Sequence, residues 1–204
     1  MAELIGLEQL LSRGRASDHP VALRDGRPLD FAAFASRAAE WRAAFESRPG
    51  RRWAVFFEDT FEFASALLGA WHAGKCTYLL ADAQPATLAR VRGEVDGFAG
   101  SVPPEHSPLA PGEGATGGWS PLSPDAPGLV VYTSGSSGAP SAIPKRLSQL
   151  FSEVVTLESL WGGKLGDGRV IATVSHQHIY GLLVRVLWPL AAGRPFEAHS
   201  LRYP

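Results

Sequence analysis

The sequence predicts a layered α/β fold built on a mostly parallel sheet. Three observations predict it. Trp53-Ala54-Val55-Phe56-Phe57 is apolar without interruption, as a strand covered on both faces is. Segments of helical periodicity alternate with such runs, the order that crossover units need. A second apolar run, Leu129-Val130-Val131, leads directly into Tyr132-Thr133-Ser134-Gly135-Ser136-Ser137-Gly138, a strand-to-helix loop of bare backbone and short hydroxyl donors.

The elements follow in order. Asp25-Gly26 between Val21-Ala22-Leu23 and Leu29-Asp30-Phe31 marks a hairpin. Asp30 is placed to cap a helix whose apolar side is Phe31, Phe34, Ala35, Ala38, Trp41 and Phe45; Pro49-Gly50 bounds it. After the Trp53 strand, Asp59 or Thr60 caps a helix through Phe63, Leu67 and Trp71 that closes at Gly74. Cys76 to Leu80 is the next strand, with Cys76 a small core residue. Pro85 suits the first turn of a helix reaching about Asp96. Residues 99 to 128 are crowded with Pro, Gly and Ser and have no apolar period, so they read as a long surface connection.

Order resumes with the strand Leu129 to Tyr132 and its loop. A helix is expected from Leu147 to Trp161, stopped by Gly162-Gly163. Val170 to Val174 has the pattern of a buried strand, Ser175 to Gly181 that of a polar turn bearing histidines. Leu182, Leu183, Val186 and Leu187 form a last apolar helix that ends before Pro189. The expected organisation is an N-terminal α/β subdomain over 1–100, a connection over 101–127 and a loop-bearing α/β segment over 128–204.

Composition narrows the function. The 204 residues are 45% apolar and 19% charged with a net charge of −1, which provides for a core and gives no basic footprint for nucleic acid. Cys76 is the one cysteine, so no intramolecular disulfide forms and a reducing compartment fits. The start of the chain has no basic and apolar leader pattern, and no run of about 18 apolar residues occurs. A cytoplasmic, soluble protein is expected.

The loop carries the chemistry. Its glycines permit close backbone approach, and its successive N–H groups can nest an anion. Spacing rejects the P-loop, the dinucleotide fingerprint and the nucleophile elbow. A phosphate cradle and a flexible Gly/Ser turn both remain on chemistry alone. The stretch from Leu129 to Pro140 closely resembles the signature phosphate loop of the adenylate-forming superfamily: acyl-CoA synthetases, nonribosomal-peptide adenylation domains and luciferases. Trp53 to Leu80 resembles that family's strand–helix–strand segment. Thr173 to Gly181 resembles its apolar strand ending in His-x-x-Gly. The resemblance spans about residues 20 to 196.

The resemblance implies the N-terminal portion of the large domain of an acid-activating ligase. In that family a fatty, aryl or similar acid reacts with ATP and Mg²⁺ to give an acyl-adenylate, and the acyl group passes to coenzyme A or a carrier-protein thiol. It implies that Thr133, Ser134, Gly135, Ser136, Ser137 and Gly138 hold the ATP phosphates, and that His178 and Gly181 border the acyl pocket. The family's lysine after the proline is replaced here by Ser141, and the first lysine is Lys145. Lys145 could reach the phosphates from a flexible loop, or stand as a solvated charge near the next helix. His176 and His178 share a face on extended backbone, but no nearby carboxylate or cysteine completes a metal site, and none is expected.

The family's Glu-bearing magnesium loop, ribose-binding aspartate, hinge and C-terminal lysine domain have no counterpart before Pro204. The 204 residues alone are therefore expected to be inactive as a ligase, with no complete catalytic set, and to self-associate through the truncated sheet. A non-catalytic scaffold that binds nucleotide, acyl group or protein is the alternative.

Overall fold

The computed structural model describes residues 3–112, 118–133 and 141–199. A short turn at Leu7–Gln9 and α1 (Leu10–Arg13) precede the hairpin of β1 (Pro20–Arg24) and β2 (Arg27–Asp30). Asp25 and Gly26 both take positive φ, 52° and 75°, which matches the right-handed twist of the flanking strands. Asp30 closes the hairpin and caps α2 (Phe31–Glu46), its Oδ1 accepting from the Ala33 N–H at 2.8 Å. After β3 (Arg52–Phe56), Asp59 caps α3 (Thr60–His72) in the same way, accepting from the Glu62 N–H at 2.9 Å. Gly74, at φ 69°, ends that helix before β4 (Cys76–Leu79).

The next stretch departs from the sequence expectation. The Pro85 helix, α4 (Pro85–Val91), stops five residues short of Asp96. Asp96 serves the sheet instead: its Oδ2 accepts the N–H groups of Arg51 at 2.8 Å and Arg52 at 2.9 Å, at the entry to β3. A strand the sequence did not show follows, β5 (Gly97–Gly100), parallel to β3. Two glycines around Phe98-Ala99 hide it. Gly97 is needed because the Trp53 ring lies 2.5 Å from where a Cβ would stand. Leu109 then donates to Phe98 O at 2.7 Å, Leu122 to Glu8 O at 2.9 Å, and Arg42 to Gly118 O at 2.8 Å, which fastens the connection to the body.

β6 (Pro127–Thr133) lies beside β4 in parallel, so the sheet is continuous from the first half of the chain to the second. β7 (Ser141–Arg146), a strand where the sequence reading had a loop, returns antiparallel along β6. The order is β5-β3-β4-β6-β7. Leu129 and Val131 face the core beneath α2 and α3, with Trp53, Val55 and Leu79. Ala54, Leu80 and Phe98 face the other way, under Leu88 and Val91 of α4. Helices thus cover both faces of a mostly parallel sheet, as the sequence predicted.

The last third differs most from expectation. α5 (Leu147–Leu157) does not stop at Gly162-Gly163. It widens into a π-helical turn, Glu158–Gly162, and continues as α6 (Gly163–Leu165) until Gly166 at φ 57°. Val170 to Val174 is not a buried strand. Val170 makes one bridge, to Phe196, while Ile171 and Val174 are exposed. α7 (Ile179–Gly181) runs through a π-helical stretch, Leu182–Leu187, into α8 (Trp188–Ala192). Pro189 does not end it, because its missing N–H falls where the wide turn already interrupts the ladder. Gly193, at φ 69°, does. β8 (Phe196–Glu197) joins β1 in a second sheet of order β2-β1-β8. No helix among the described residues is long and apolar enough to cross a membrane.

Candidate functional site

Because β4 and β6 are parallel neighbours, their carboxyl ends open on one edge, the place where doubly wound sheets bind ligands. The start of β6 is held from both sides. Gly128 O accepts the Trp71 Nε1–H at 2.6 Å and the Thr77 hydroxyl at 3.2 Å. Its far end carries Tyr132 and Thr133 to the Gly/Ser loop. Ser134, Gly135, Ser136, Ser137 and Gly138 lie outside the described residues; Thr133 is the last residue of the strand before them.

A cleft of about 400 Å³ opens at this edge, between Leu79 at the end of β4, Leu80 after it, Thr87 and Arg90 of α4, Tyr132 and His178. A larger hollow, about 870 Å³, lies at the amino ends of β3 and β5, lined by Trp53, Asp96 and His106. Volume favours the second, but only the first adjoins the loop.

Tyr132 is fixed at the cleft. Its hydroxyl donates to Glu94 Oε2 at 2.8 Å, and its ring lies 6.4 Å from that of Tyr78. Burial, with Glu94 beside it, pushes the phenol well above its usual range, so Tyr132 stays neutral. The Arg90 guanidinium lies over the same ring, 5.8 Å from its centroid. Arg90 is exposed at the lip, and a weak cation–π contact holds it over that aromatic face. The sequence reading missed it; only the fold brings α4 to the end of β6.

Lys145 is not brought there. The hairpin pairs Thr133 with Ser141 next to the loop and Leu129 with Lys145 at the other end. Lys145 lies four residue steps along the strand from Ser141, roughly 13 Å of backbone. Ser141 itself occupies the position next to the loop.

The two histidines part company. His178 is exposed and lines the cleft. His176 is 2% exposed and turned inward. Its Nε2–H donates to Phe57 O at 3.0 Å, which leaves Nδ1 to accept the Thr60 hydroxyl at 3.1 Å; a carbonyl can only accept, so the tautomer is set. Burial, reinforced by Arg185, lowers its pKa to about 4. It anchors the turn to the ends of β3 and α3. Gly181 is buried beneath that turn. A Cβ there would overlap Ser175 O, so glycine lets the helix start pass its own approach. Among the described residues no group of three His, Cys, Asp or Glu converges to hold a metal. Cys76 is half-buried at the start of β4, and burial pushes its thiol up, away from nucleophilic use.

No family model and no curated protein matches the chain. Solved structures do. The N-terminal subdomain of Klebsiella oxytoca NpsA, in complex with 3-hydroxyanthranilyl-AMSN, matches 98% of the chain at TM-score 0.78 and 14% identity, over 55% of its own length. The O-succinylbenzoate coenzyme A synthetase MenE of Bacillus subtilis, in complex with AMP, matches 96% at TM-score 0.78 and 19% identity, over 44% of its length. A malonyl-CoA ligase with methylmalonyl-CoA and AMP bound matches 97% at TM-score 0.74 and 24% identity, over 45% of its length. The likeness is one of fold. The chain spans about half the length of these solved chains.

Proposed function

We propose that these residues form the phosphate-binding part of an acid–AMP ligase. The carrying observation is the cleft at the carboxyl ends of β4 and β6, which receives Tyr132, Arg90 and His178 beside the Gly/Ser loop in a fold shared with acid-activating enzymes. In the proposed reaction a carboxylate oxygen attacks the α-phosphorus of ATP, the bond to the β-phosphate oxygen breaks, and pyrophosphate leaves. Thr133 and the hydroxyls and N–H groups of Ser134 to Gly138 hold the β- and γ-phosphates, and Arg90 offsets the charge that develops on the leaving group. His178 borders the acyl group, and Tyr132 fixes the loop's origin. Magnesium on the phosphates would supply further charge neutralisation. The site accommodates an anion through Arg90, while the described residues offer no acidic cluster, so the phosphates themselves are the natural ligands of that ion. A thiol, coenzyme A or a carrier arm, takes the acyl group from the adenylate.

One observation favours a binding scaffold instead. Ser141 holds the place beside the loop, and Lys145 stands at the far end of the hairpin. Equilibrium ATP binding separates the contributions. Arg90→Ala is expected to weaken ATP about tenfold or more, the loss of one charge-assisted contact, while Lys145→Ala leaves it within about twofold. An equal loss in Lys145→Ala would place the lysine at the phosphates. Carboxylate-dependent ATP–pyrophosphate exchange decides between ligase and scaffold when it is measured on a longer chain that carries these residues: exchange there, with none from the 204 residues alone, supports the first, and ATP binding without exchange in either supports the second.

A further inference from the structure

Gln177 precedes His178 in the turn and also lines the cleft at the carboxyl ends of β4 and β6. It is 4% exposed, yet half of its amide is unused. Its Nε2–H donates to Phe57 O at 2.9 Å. A carbonyl only accepts, so the nitrogen is the end of the amide that faces Phe57, just past β3, and the oxygen is the end turned away from it. Oε1 has no hydrogen-bond partner among the described residues.

The oxygen is held where it is. The Ser175 hydroxyl accepts the Gln177 backbone N–H at 3.2 Å, and the neighbouring His176 is pinned to Phe57 O and Thr60. The lining beside it does not serve it. Leu79, Leu80, Val131 and Ile179 carry no side-chain donor, and the Tyr132 hydroxyl is committed to Glu94. A buried acceptor left unpaired is costly, and native structures keep few of them. An acceptor fixed in an apolar stretch of a cleft is the form taken by a group that awaits a ligand's donor.

We infer that Gln177 Oε1 selects the acid: the substrate carries one O–H or N–H donor on an otherwise apolar body, as a hydroxy- or amino-substituted aryl or alkyl acid does. The inference rests on the ligase reading, which puts the acyl group beside His178. Gln177 is the adjacent residue, and its apolar surroundings suit an acyl body. The phosphates present acceptors and have nothing to give an amide oxygen. A pocket of hydrocarbon alone separates acids that differ by one methylene about 10–200-fold. A pocket with a desolvated acceptor rejects the acid lacking the donor more strongly, because binding that acid leaves Oε1 unpaired.

Matched acids test this by ATP–pyrophosphate exchange in a longer chain that carries these residues. Benzoate is compared with its ring-hydroxylated and ring-aminated analogues, and octanoate with chain-hydroxylated octanoates. At least one donor-bearing acid is expected to exceed its parent about 100-fold or more in kcat/KM, and Gln177→Leu to reduce that ratio to about threefold or less. KM for ATP should stay within about twofold in the variant, since one uncharged contact to the acid is all that is lost. Phe57 O keeps the His176 N–H, so the substitution orphans no backbone group. Should circular dichroism show Gln177→Leu unfolded, Gln177→Met takes its place. Exchange that does not distinguish the matched acids overturns the inference, as does a preference that the folded variant retains. A variant that raises KM for ATP in place of KM for the acid puts the donor on the nucleotide and also overturns it. No exchange with any acid overturns the ligase reading itself, and the inference with it.

Discussion

Residues 20 to 100 and residues 141 to 199 both pack around the two sheets, yet different interactions hold them. In the first, aromatic rings meet edge to face: Phe34 on Phe61 at 5.8 Å, Trp41 on Phe57 at 5.3 Å, Phe45 on Trp53 at 5.4 Å. In the second, buried arginines replace rings. Arg194, 4% exposed, makes a bidentate pair with Glu158 at 2.6 and 2.9 Å and donates to the carbonyl of Gly166 at 2.6 Å. Arg185 donates to Val174 O at 3.2 Å and to Glu197 O at 3.4 Å. The first region turns its large apolar groups inward. The second is framed by polar crosslinks that keep its backbone in place while Trp161 and Ile171 point outward. A region can therefore present an apolar face in fixed shape, provided something other than that face holds it.

The largest effect expected of any change to this contrast is that of Arg194→Ala. It strands the Glu158 carboxylate, which Arg194 and the Trp188 Nε1–H, at 2.6 Å, now satisfy and whose pKa Arg194 holds low. Breaking such a pair by removing one partner costs about 3–5 kcal/mol. Urea denaturation should show that loss, and hydrogen exchange should show protection vanishing first over 158–197. If α2 and α3 lose protection to the same degree at the same denaturant, the two regions are one cooperative unit and the contrast is only architectural.

A smaller effect tests the join. His176 ties the second region to Phe57 O and Thr60 of the first. Its pKa is lowered to about 4 by burial, and that of His72 is also lowered to about 4, by burial and then Arg42. Both are neutral in the folded chain where the unfolded chain, with an ordinary histidine near pH 6.5, takes up protons. Between those values the unfolded state binds more protons, so stability is full above about pH 6.5 and falls as the pH drops toward 4. His176 alone accounts for about 2–3 kcal/mol of that fall. Urea midpoints at pH 7, 5.5 and 4.5 should decline less in His176→Gln than in the native chain. An unchanged pH slope would mean that the turn opens before the ring takes its proton.

Which parts were legible in the sequence follows the same division. The hairpin turn at Asp25-Gly26 and the caps Asp30 and Asp59 rest on backbone chemistry within a few residues, and sequence shows such chemistry directly. β7 was hidden because Ser141 to Arg146 is polar, exposed and contains Pro144, which only an edge strand tolerates. Its strand state comes from pairing with β6. Val170 to Val174 gave the opposite error: strand composition with no neighbour to pair it. At the site, counting residues from the loop singled out Lys145, and spacing along the chain does not reveal that the β6–β7 hairpin pairs it with Leu129. Arg90 lies more than forty residues before Tyr132 and meets its ring only through the β4–β6 adjacency. His178, read from the local His-x-x-Gly pattern, lines the cleft beside Tyr132.

The smallest effect belongs to the first region and asks how tightly its core is closed. Gly69 lies where α3 crosses α2, and a Cβ there would stand 2.7 Å from both Ala38 O and the Trp41 Cβ. Ala38 O is backbone and cannot swing aside, so Gly69→Ala must separate the helices slightly. Alanine is the better helix former by up to about 1 kcal/mol. Overpacking of this kind costs about 1–3 kcal/mol, so a net loss of about 1–2 kcal/mol is expected in thermal or urea unfolding. Trp41, which the added methyl would press, packs edge to face on Phe57, so the cost should appear as a weakened near-ultraviolet aromatic signal. Exposure at Trp161, on the other side of the sheet order, should not change. If Gly69→Ala is instead neutral or stabilising, α2 and α3 slide past each other freely. The first region would then be held by the sheet and its caps, and the contrast with the arginine-framed second region would lose its sharper half.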